Sequence, residues 1–315
     1  MLGLKSKKFV VYTVMVGGYD DILQPLVVDD RFDYVLFTDE KRIDRKGVWE
    51  VRSFDYRNMD KTRESRYPKM HPEELLPEYE ASLYTDANLQ ITDRQVYEIF
   101  LGLIEEEIDW AGISLPFPAH PDCIYDHAFW VLANALDYEK VILELCHFLR
   151  KEEYPRHNGL FENNIIFRRN NNKTLQVDLM WWELYSRYSR RDQLTLGYVL
   201  WKNSDVNVGL FLPKGKRVYD SSCFFSVRHR PTFSNNREVK LNLLEFLRDK
   251  IRAGLPEQLG AMRNFHYDLY ALPVPFARIC LFFWGIFEGV FYGPKLIITY
   301  VKRRRIRQQM HSSYY

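Results

Sequence analysis

The sequence has no glycine-rich phosphate loop. Neither G-x-x-x-x-G-K-[ST] nor G-x-G-x-x-G occurs, which disfavours a P-loop nucleotide hydrolase and a Rossmann dehydrogenase. It also lacks a G-x-S-x-G nucleophile elbow, which disfavours a serine hydrolase. Cysteine is scarce. Cys123, Cys146, Cys223 and Cys280 sit far apart with no C-x-x-C, so neither a zinc pattern nor a disulfide framework is expected, and a reducing compartment is the simpler inference. Internal repeats and low-complexity tracts are absent. Long apolar runs are absent too. In the stretch 272–301 the longest charge-free run is Ile279–Phe287, well short of the roughly 20 residues that cross a bilayer as a helix.

There is little excess of either charge, with 44 basic against 42 acidic side chains and a net of +2. Even that excess is local. Lys302, Arg303, Arg304, Arg305 and Arg307 lie in a C-terminal stretch without an acid, so the remainder of the chain is slightly acidic and is not expected to bind nucleic acid. What the chain does have is length and rings. Its 315 residues suffice for one large domain or two small ones, and 16% are aromatic, which suits a ring-stacking cleft, a membrane contact or simply a Tyr/Phe-rich core.

The opening, MLGLKSKKFVVYTVMV, has lysines before an apolar run. That run is short for a signal peptide and leads into Gly17-Gly18-Tyr19-Asp20-Asp21 without a small-x-small cleavage site. A buried first strand is the expectation, with the catalytic part in the cytoplasm. DYVLFT at 33–38 repeats the pattern and ends at Asp39, and SLYT at 82–85 repeats it again and ends at Asp86, with a resumption at 89–92. Three strands that each terminate on an acidic residue point to one shared cleft at their carboxyl ends. Between the second and third, 52–80 reads as helix and loop. Further on, the pattern predicts a helix over 94–109, a strand over 110–115 and two helices within 125–149. A strand within 159–168 and helices over 175–188 and 192–201 complete it.

In Asp86-Ala87-Asn88, a strand of small and apolar residues delivers two oxygen-bearing side chains to its end. They could hold a hard divalent cation that also grips a diphosphate. An Asx turn at a strand end is the plain alternative. The surrounding motifs form an ordered series. VVYTVMVGGYDD and DYVLFTD are followed by Arg66, Lys69 and His71 ahead of SLYTDANLQI. His120-Pro121, Tyr125-Asp126, GLFENNIIFRRNN and WWELYSRYSRRDQLTLGYVLWK come after. This series resembles the glycosyltransferase-like domain family that includes the plant mucilage-related and turgor-regulation-defect proteins and many bacterial polysaccharide-locus proteins. The resemblance covers about residues 9–230. It implies an α/β fold of the GT-A-like nucleotide-diphospho-sugar type, with a mixed central sheet flanked by helices. It sets Asp86 and Asn88 where such enzymes carry a metal-binding Asp-x-Asp, here one charge fewer because the second position is Asn.

The chemistry of the other residues follows. Tyr19, Asp20 and Asp39 are placed to stack on a base or accept hydrogen bonds from a donor nucleotide; ordinary turn residues are the alternative. Arg66 and Lys69, about a helical turn apart, could face a diphosphate together, or be a solvated helix face. Glu162 and Asn163 suit sugar hydroxyls, or cap a turn; Glu162 is taken as catalytic with Asp192, and Asn163 as acceptor-binding with Gln193. Asp192 is either a general base toward an acceptor hydroxyl or a helix N-cap, with Gln193 beside it. Only one of Trp181 and Trp182 can face the core of a helix, and Trp182 is taken as an acceptor platform. His229 matches the late histidine that GT-A enzymes often bring to the metal, and a surface histidine between two arginines is the plain alternative.

The expectation is thus a metal-dependent glycosyltransferase in surface-polysaccharide (capsule or related) synthesis. It would use Mn²⁺ or Mg²⁺ and a nucleotide-diphosphate sugar, with UDP the expected nucleotide, and act on a glycan or lipid-linked acceptor. A metal-assisted hydrolase of a membrane lipid and a non-catalytic membrane-docked, sugar-binding scaffold stay open as alternatives. The expected organisation is a transferase domain at 1–235, a helical connector at 236–271, and an amphipathic segment with a basic tail at 272–315. On a helix Glu288, Lys295 and Lys302 share one stripe opposite Phe282, Phe283, Ile286, Val290 and Ile297, so 272–307 is expected to lie on an anionic membrane surface. That places the protein in the cytoplasm, peripheral on the inner face of the cytoplasmic membrane.

Overall fold

The computed structural model describes residues 8–18, 21–40, 44–115, 122–133, 136–227 and 259–284. The first apolar run forms β1, Phe9–Met15, a fully buried strand beyond its first residue. Such a run, rich in β-branched residues, is what a strand covered on both faces requires. It ends in Gly17 and Gly18 at φ +77° and +61°, a left-handed turn that a side chain would strain.

β1 is the centre of the sheet. On one side it pairs in parallel with β2, Phe32–Thr38, which pairs in parallel with β4, Trp49–Arg52, edged by the short antiparallel β3, Arg45–Lys46. On the other it pairs in parallel with β5, Ala81–Thr85. Beyond β5 come β8, Phe161–Arg169, antiparallel to β5, then β7, Trp110–Ser114, and β9, Val208–Leu210. The result is an eight-strand mixed sheet of order β3-β4-β2-β1-β5-β8-β7-β9. A second, two-strand sheet pairs β6, Leu89–Ile91, with β10, Phe224–Ser226. The chain steps from β1 outward to β2 and β4 and then returns to β5 on the opposite side. The crevice beyond the carboxyl ends of β1 and β5 is therefore a topological switch point, where sheets of this kind take ligands.

Helices cover both faces of the sheet. α3, Gln95–Glu105, sets Phe100 among Phe9, Phe32 and Phe167 at ring-centroid distances of 5.1, 4.9 and 4.9 Å. The opposite face carries Tyr12, Tyr84 and Arg168. It lies under α1, Lys61–Met70, and α6, Asn172–Arg187, whose Trp181 is fully buried. α2, Pro72–Leu75, and α7, Gln193–Lys202, complete this side, and a 3₁₀ turn, Val218–Asp220, precedes β10. Both β7 and β8 were anticipated. Unanticipated was the irregularity between Gly112 and Ile113, where the β8 partner jumps from Ile166 to Glu162. A bulge of this kind re-aims side chains at a sheet end.

The chain divides into two compact units, 1–127 with 155–237 and 128–154 with 238–315. The sheet belongs to the first. The boundary falls within α4, Ile124–Ala133. In the second unit α5, Glu139–Lys151, buries Ile142, Leu143, Leu145, Cys146 and Leu149 on one face, the heptad-like spacing of an amphipathic helix. α8, Leu259–Leu269, contributes His266, 4.9 Å from the Phe129 ring, and Tyr267, over which Arg150 stacks at 3.9 Å. A turn then leads to the helix at 274–284, α9. No helix among the described residues is long and apolar enough to cross a membrane.

Candidate functional site

At the carboxyl end of β5 the chain turns through Asp86-Ala87-Asn88, closed by Leu89 N–H donating to Asp86 O at 2.9 Å. The Asp86 amide donates to Asn164 O at 2.9 Å, which ties this turn to β8. Asp86 Oδ1 accepts from the Tyr84 hydroxyl at 2.6 Å and stands 3.8 Å from Lys69 Nζ. The Asn88 amide donates to Val227 O at 3.0 Å, and Val227 N–H returns a bond to Asn88 O at 2.9 Å. Its amide nitrogen is thus used, which leaves the amide oxygen as its acceptor. The Asp86–Asn88 turn therefore satisfies the turn reading while keeping a carboxylate and an amide oxygen at the switch point.

Behind Asp86 lies an ion-pair cluster. Lys69 Nζ and Arg66 Nε both donate to Asp192 Oδ2, at 2.8 and 2.9 Å. Lys69 is almost wholly buried, and its Nζ also lies 4.8 Å from the Tyr84 ring. Burial pulls the Lys69 pKa down while Asp192 and Asp86 oppose it. Burial would raise the Asp192 carboxyl, but Lys69 and Arg66 outweigh it and hold the group well below the ordinary carboxylate range. Such a carboxylate is a poor proton acceptor near neutrality. Asp192 shows no side-chain capping bond, and its carbonyl accepts from Trp181 Nε1 at 3.0 Å. Arg66 and Lys69 converge on one carboxylate, Asp192, which the sequence left open between a general base and a helix N-cap.

Glu162 approaches from β8. Burial and the Asp86 charge push its carboxyl up to about 7, against the pull of Arg217 and a hydrogen bond from Asn164. Its Oε2, the Asn164 Oδ1 and both side-chain amide atoms of Asn163 are buried without a hydrogen-bond partner. Unsatisfied groups of this density are uncommon in a packed interior. Asp220 of the 3₁₀ turn raises Glu162 further, and burial, followed by the charges of Glu162 and Asp86, raises the Tyr219 hydroxyl. Tyr84, Arg217 and Tyr219 were not anticipated. Tyr84 could have been found from its place two residues before Asp86 on one strand face.

At the end of β2, Asp39 accepts from Gly17 N–H at 3.0 and 3.2 Å and lies 3.4 Å from Lys61 Nζ. It closes the turn after β1 across the sheet edge. Gln193 Oε1 lies 3.1 Å from His127 Nε2. Trp182 is an edge-on member of a ring cluster, 5.2 Å from Tyr56, 5.3 Å from Tyr67 and 5.0 Å from His71. Tyr19, Asp20 and His229 lie outside the described residues.

The Asp86 turn offers a carboxylate and the neutral Asn88 oxygen, donors of the kind a hard divalent cation takes, beside a Glu162 raised first by burial and then by the Asp86 charge, while Lys69 Nζ, 3.8 Å from Asp86, opposes a second cation. A different donor group occurs elsewhere: atoms of Cys123, Asp126 and His157 come within 4.8 Å of one another. Arg156 already donates to Asp126 Oδ1 at 3.2 Å, and His157 Nδ1 lies 2.6 Å from Asp122 Oδ1. A guanidinium at that distance opposes a second cation. Nothing in the spacing of these residues along the chain announces the group.

In comparisons with known proteins, no family model matches this chain and no curated protein matches its sequence.

Proposed function

We propose that the protein is a GT-A-like glycosyltransferase that moves a sugar from a nucleotide-diphosphate donor, UDP-linked in the first instance, to a hydroxyl of a glycan or lipid-linked acceptor in surface-polysaccharide assembly. The observation that carries this reading is the meeting of Asp86, Lys69 and the raised Glu162 at the switch point of a mixed sheet. A cationic pair, a lone carboxylate turn and a carboxyl poised near neutrality are what diphosphate departure and hydroxyl activation each require. The order of sequence motifs supports the same class.

Asp86 and Asn88 would hold Mn²⁺ or Mg²⁺, which neutralises charge on a leaving diphosphate when bound. The chain's own residues do the rest. Lys69 and Arg66, fixed by Asp192, present positive charge to the departing diphosphate. The acceptor oxygen bonds to the anomeric carbon as the bond from that carbon to the phosphate oxygen breaks, and the electron pair leaves with the diphosphate. The hydroxyl proton passes to the Glu162 carboxylate. The unpartnered Asn163 amide and Asn164 oxygen hydrogen-bond sugar hydroxyls, and Gln193 and Trp182 belong to the acceptor side. Asp39, with Tyr19 and Asp20, serves the nucleotide.

Calorimetric titration of the full chain with UDP and a panel of UDP-sugars, with and without Mn²⁺, tests this. Metal-dependent binding that weakens at least tenfold in Asp86→Ala is expected. A folded wild-type sample that binds neither UDP nor any other nucleotide-diphosphate sugar would overturn it.

A further inference from the structure

α9 is apolar on both sides. Ala277 and Leu281 face inward at 1% and 0% exposure, and Trp284 stacks on Phe265 of α8 at 4.3 Å. At 100° per residue the opposite side of the helix carries Phe276, Ile279, Phe282 and Phe283 within a single arc. These four are 62, 53, 63 and 63% exposed, and Leu272, in the turn before the helix, is 38% exposed. Isolated surface hydrophobes are ordinary, but three phenylalanines and an isoleucine on one stripe of a single helix form a patch. Folding has already buried the inward side of this helix, and among the described residues the outward rings add nothing to a core.

The charge around the stripe selects its occupant. Arg278 flanks it, partly offset by Glu139 at 3.7 Å. In sequence the stripe is followed by Lys295 and then Lys302, Arg303, Arg304, Arg305 and Arg307, against the single acid Glu288. Aromatic rings beside a dense run of arginines match the two components of an anionic bilayer surface, acyl chains beneath and negative headgroups above. A second copy of the chain would satisfy the rings but would offer the basic run no negative counter-charge. A soluble acidic partner would satisfy the tail alone.

We propose that the outward stripe of α9 inserts into the interface of an anionic membrane, with Phe276, Ile279, Phe282 and Phe283 among the acyl chains and the 302–307 tail on the headgroups. The anchor is a helix face that stays exposed among the described residues, and it requires no spanning segment. The proposal is independent of the transferase reading and stands or falls without it.

The test is co-sedimentation of the full chain with vesicles of phosphatidylcholine alone or with about a quarter phosphatidylglycerol, a composition chosen to supply the anionic surface. Binding to the anionic vesicles is expected, falling at least tenfold in the Phe276→Ser, Phe282→Ser, Phe283→Ser triple variant and severalfold in Phe282→Ser alone. The single variant removes one exposed ring, so it reports on insertion in a nearly unaltered protein. Three results would overturn the proposal. One is wild-type protein that ignores both vesicle types. Another is serine variants that bind as tightly as wild type, which would leave the tail charge as the whole attraction. The last is a wild-type dimer in sedimentation velocity that the triple variant dissolves, which would make the stripe an interface between copies.

Discussion

Glu162 is the residue whose chemistry is most exposed to experiment. With its carboxyl near 7, the group passes from protonated to ionised across the physiological range. As a proton acceptor it works when ionised, and a cation on Asp86 would lower its pKa, so turnover is expected to rise with pH along a limb centred at or below about 7 and then level. Glu162→Gln should lose on the order of 10²–10⁴-fold in kcat and with it that pH limb. A pH–rate profile of the variant that keeps the limb would assign the titration elsewhere. The perturbation itself was not legible in the sequence. Glu162 was picked as a carboxylate at a turn, whereas its pKa is raised first by burial and then by the approach of Asp86, and both depend on the β5–β8 pairing and the bulge opposite Gly112. Asp86 was legible because a strand of buried residues ends on it. The partner of Lys69 was not, because Asp192 lies 123 residues away.

Among the elements, α1 bears most directly on the site, and it is fastened to the corner between α6 and α7. Arg63 donates to the carbonyls of Tyr185 and Tyr188, both at 2.8 Å, while Lys69 and Arg66 share Asp192. Removing one member of a buried pair costs more than the pair is worth, since the other charge is left without a partner. Asp192→Ala is therefore expected to destabilise the protein by about 3–5 kcal/mol in urea unfolding. Arg66→Met and Lys69→Met combined with Asp192→Leu should recover most of that loss while leaving donor binding impaired, because no charge of the cluster is then stranded. Equal loss in that variant would mean that the cost does not come from unpaired charge. The strands that were foreseen, β1, β2, β5, β7 and β8, are the ones with continuous buried apolar runs. β3, β9 and β10 are two or three residues long and have no such run; they are strands only because β4, β7 and β6 offer partners. Pairing of that sort is a tertiary property, and local composition does not encode it.

For the molecule as a whole, the sequence announced an α/β sheet whose second and third long strands lead directly into Asp39 and Asp86. It did not announce that 128–154 would group with the C-terminal residues, because α5 shows only an amphipathic face and not what covers it. Nor did it announce a second charged cluster, toward the amino end of β5. There Arg168 donates to the Tyr12 hydroxyl at 2.8 Å and lies 3.1 Å from Asp178, beside a small pocket that Glu73, Ser82 and Thr174 also line. Burial pushes Glu73 up to about 7, with Arg168 opposing, and burial raises Asp178 as well. One guanidinium thus faces two carboxyls. The folded protein retains a Glu73 proton that the unfolded chain releases near its ordinary value of 4.5. Between those two values the native state binds more protons, so its stability must fall as pH rises from about 4.5 to 7 and then hold level as far as this group is concerned. Glu73→Gln removes the ionisation while keeping the shape. It is expected to raise the urea midpoint at pH 8 by the equivalent of about 2 kcal/mol and to leave it nearly unchanged at pH 4.5. Midpoints shifted equally at both values would mean that the carboxyl is paired in the folded state and that the cluster is no pH-dependent load on the sheet.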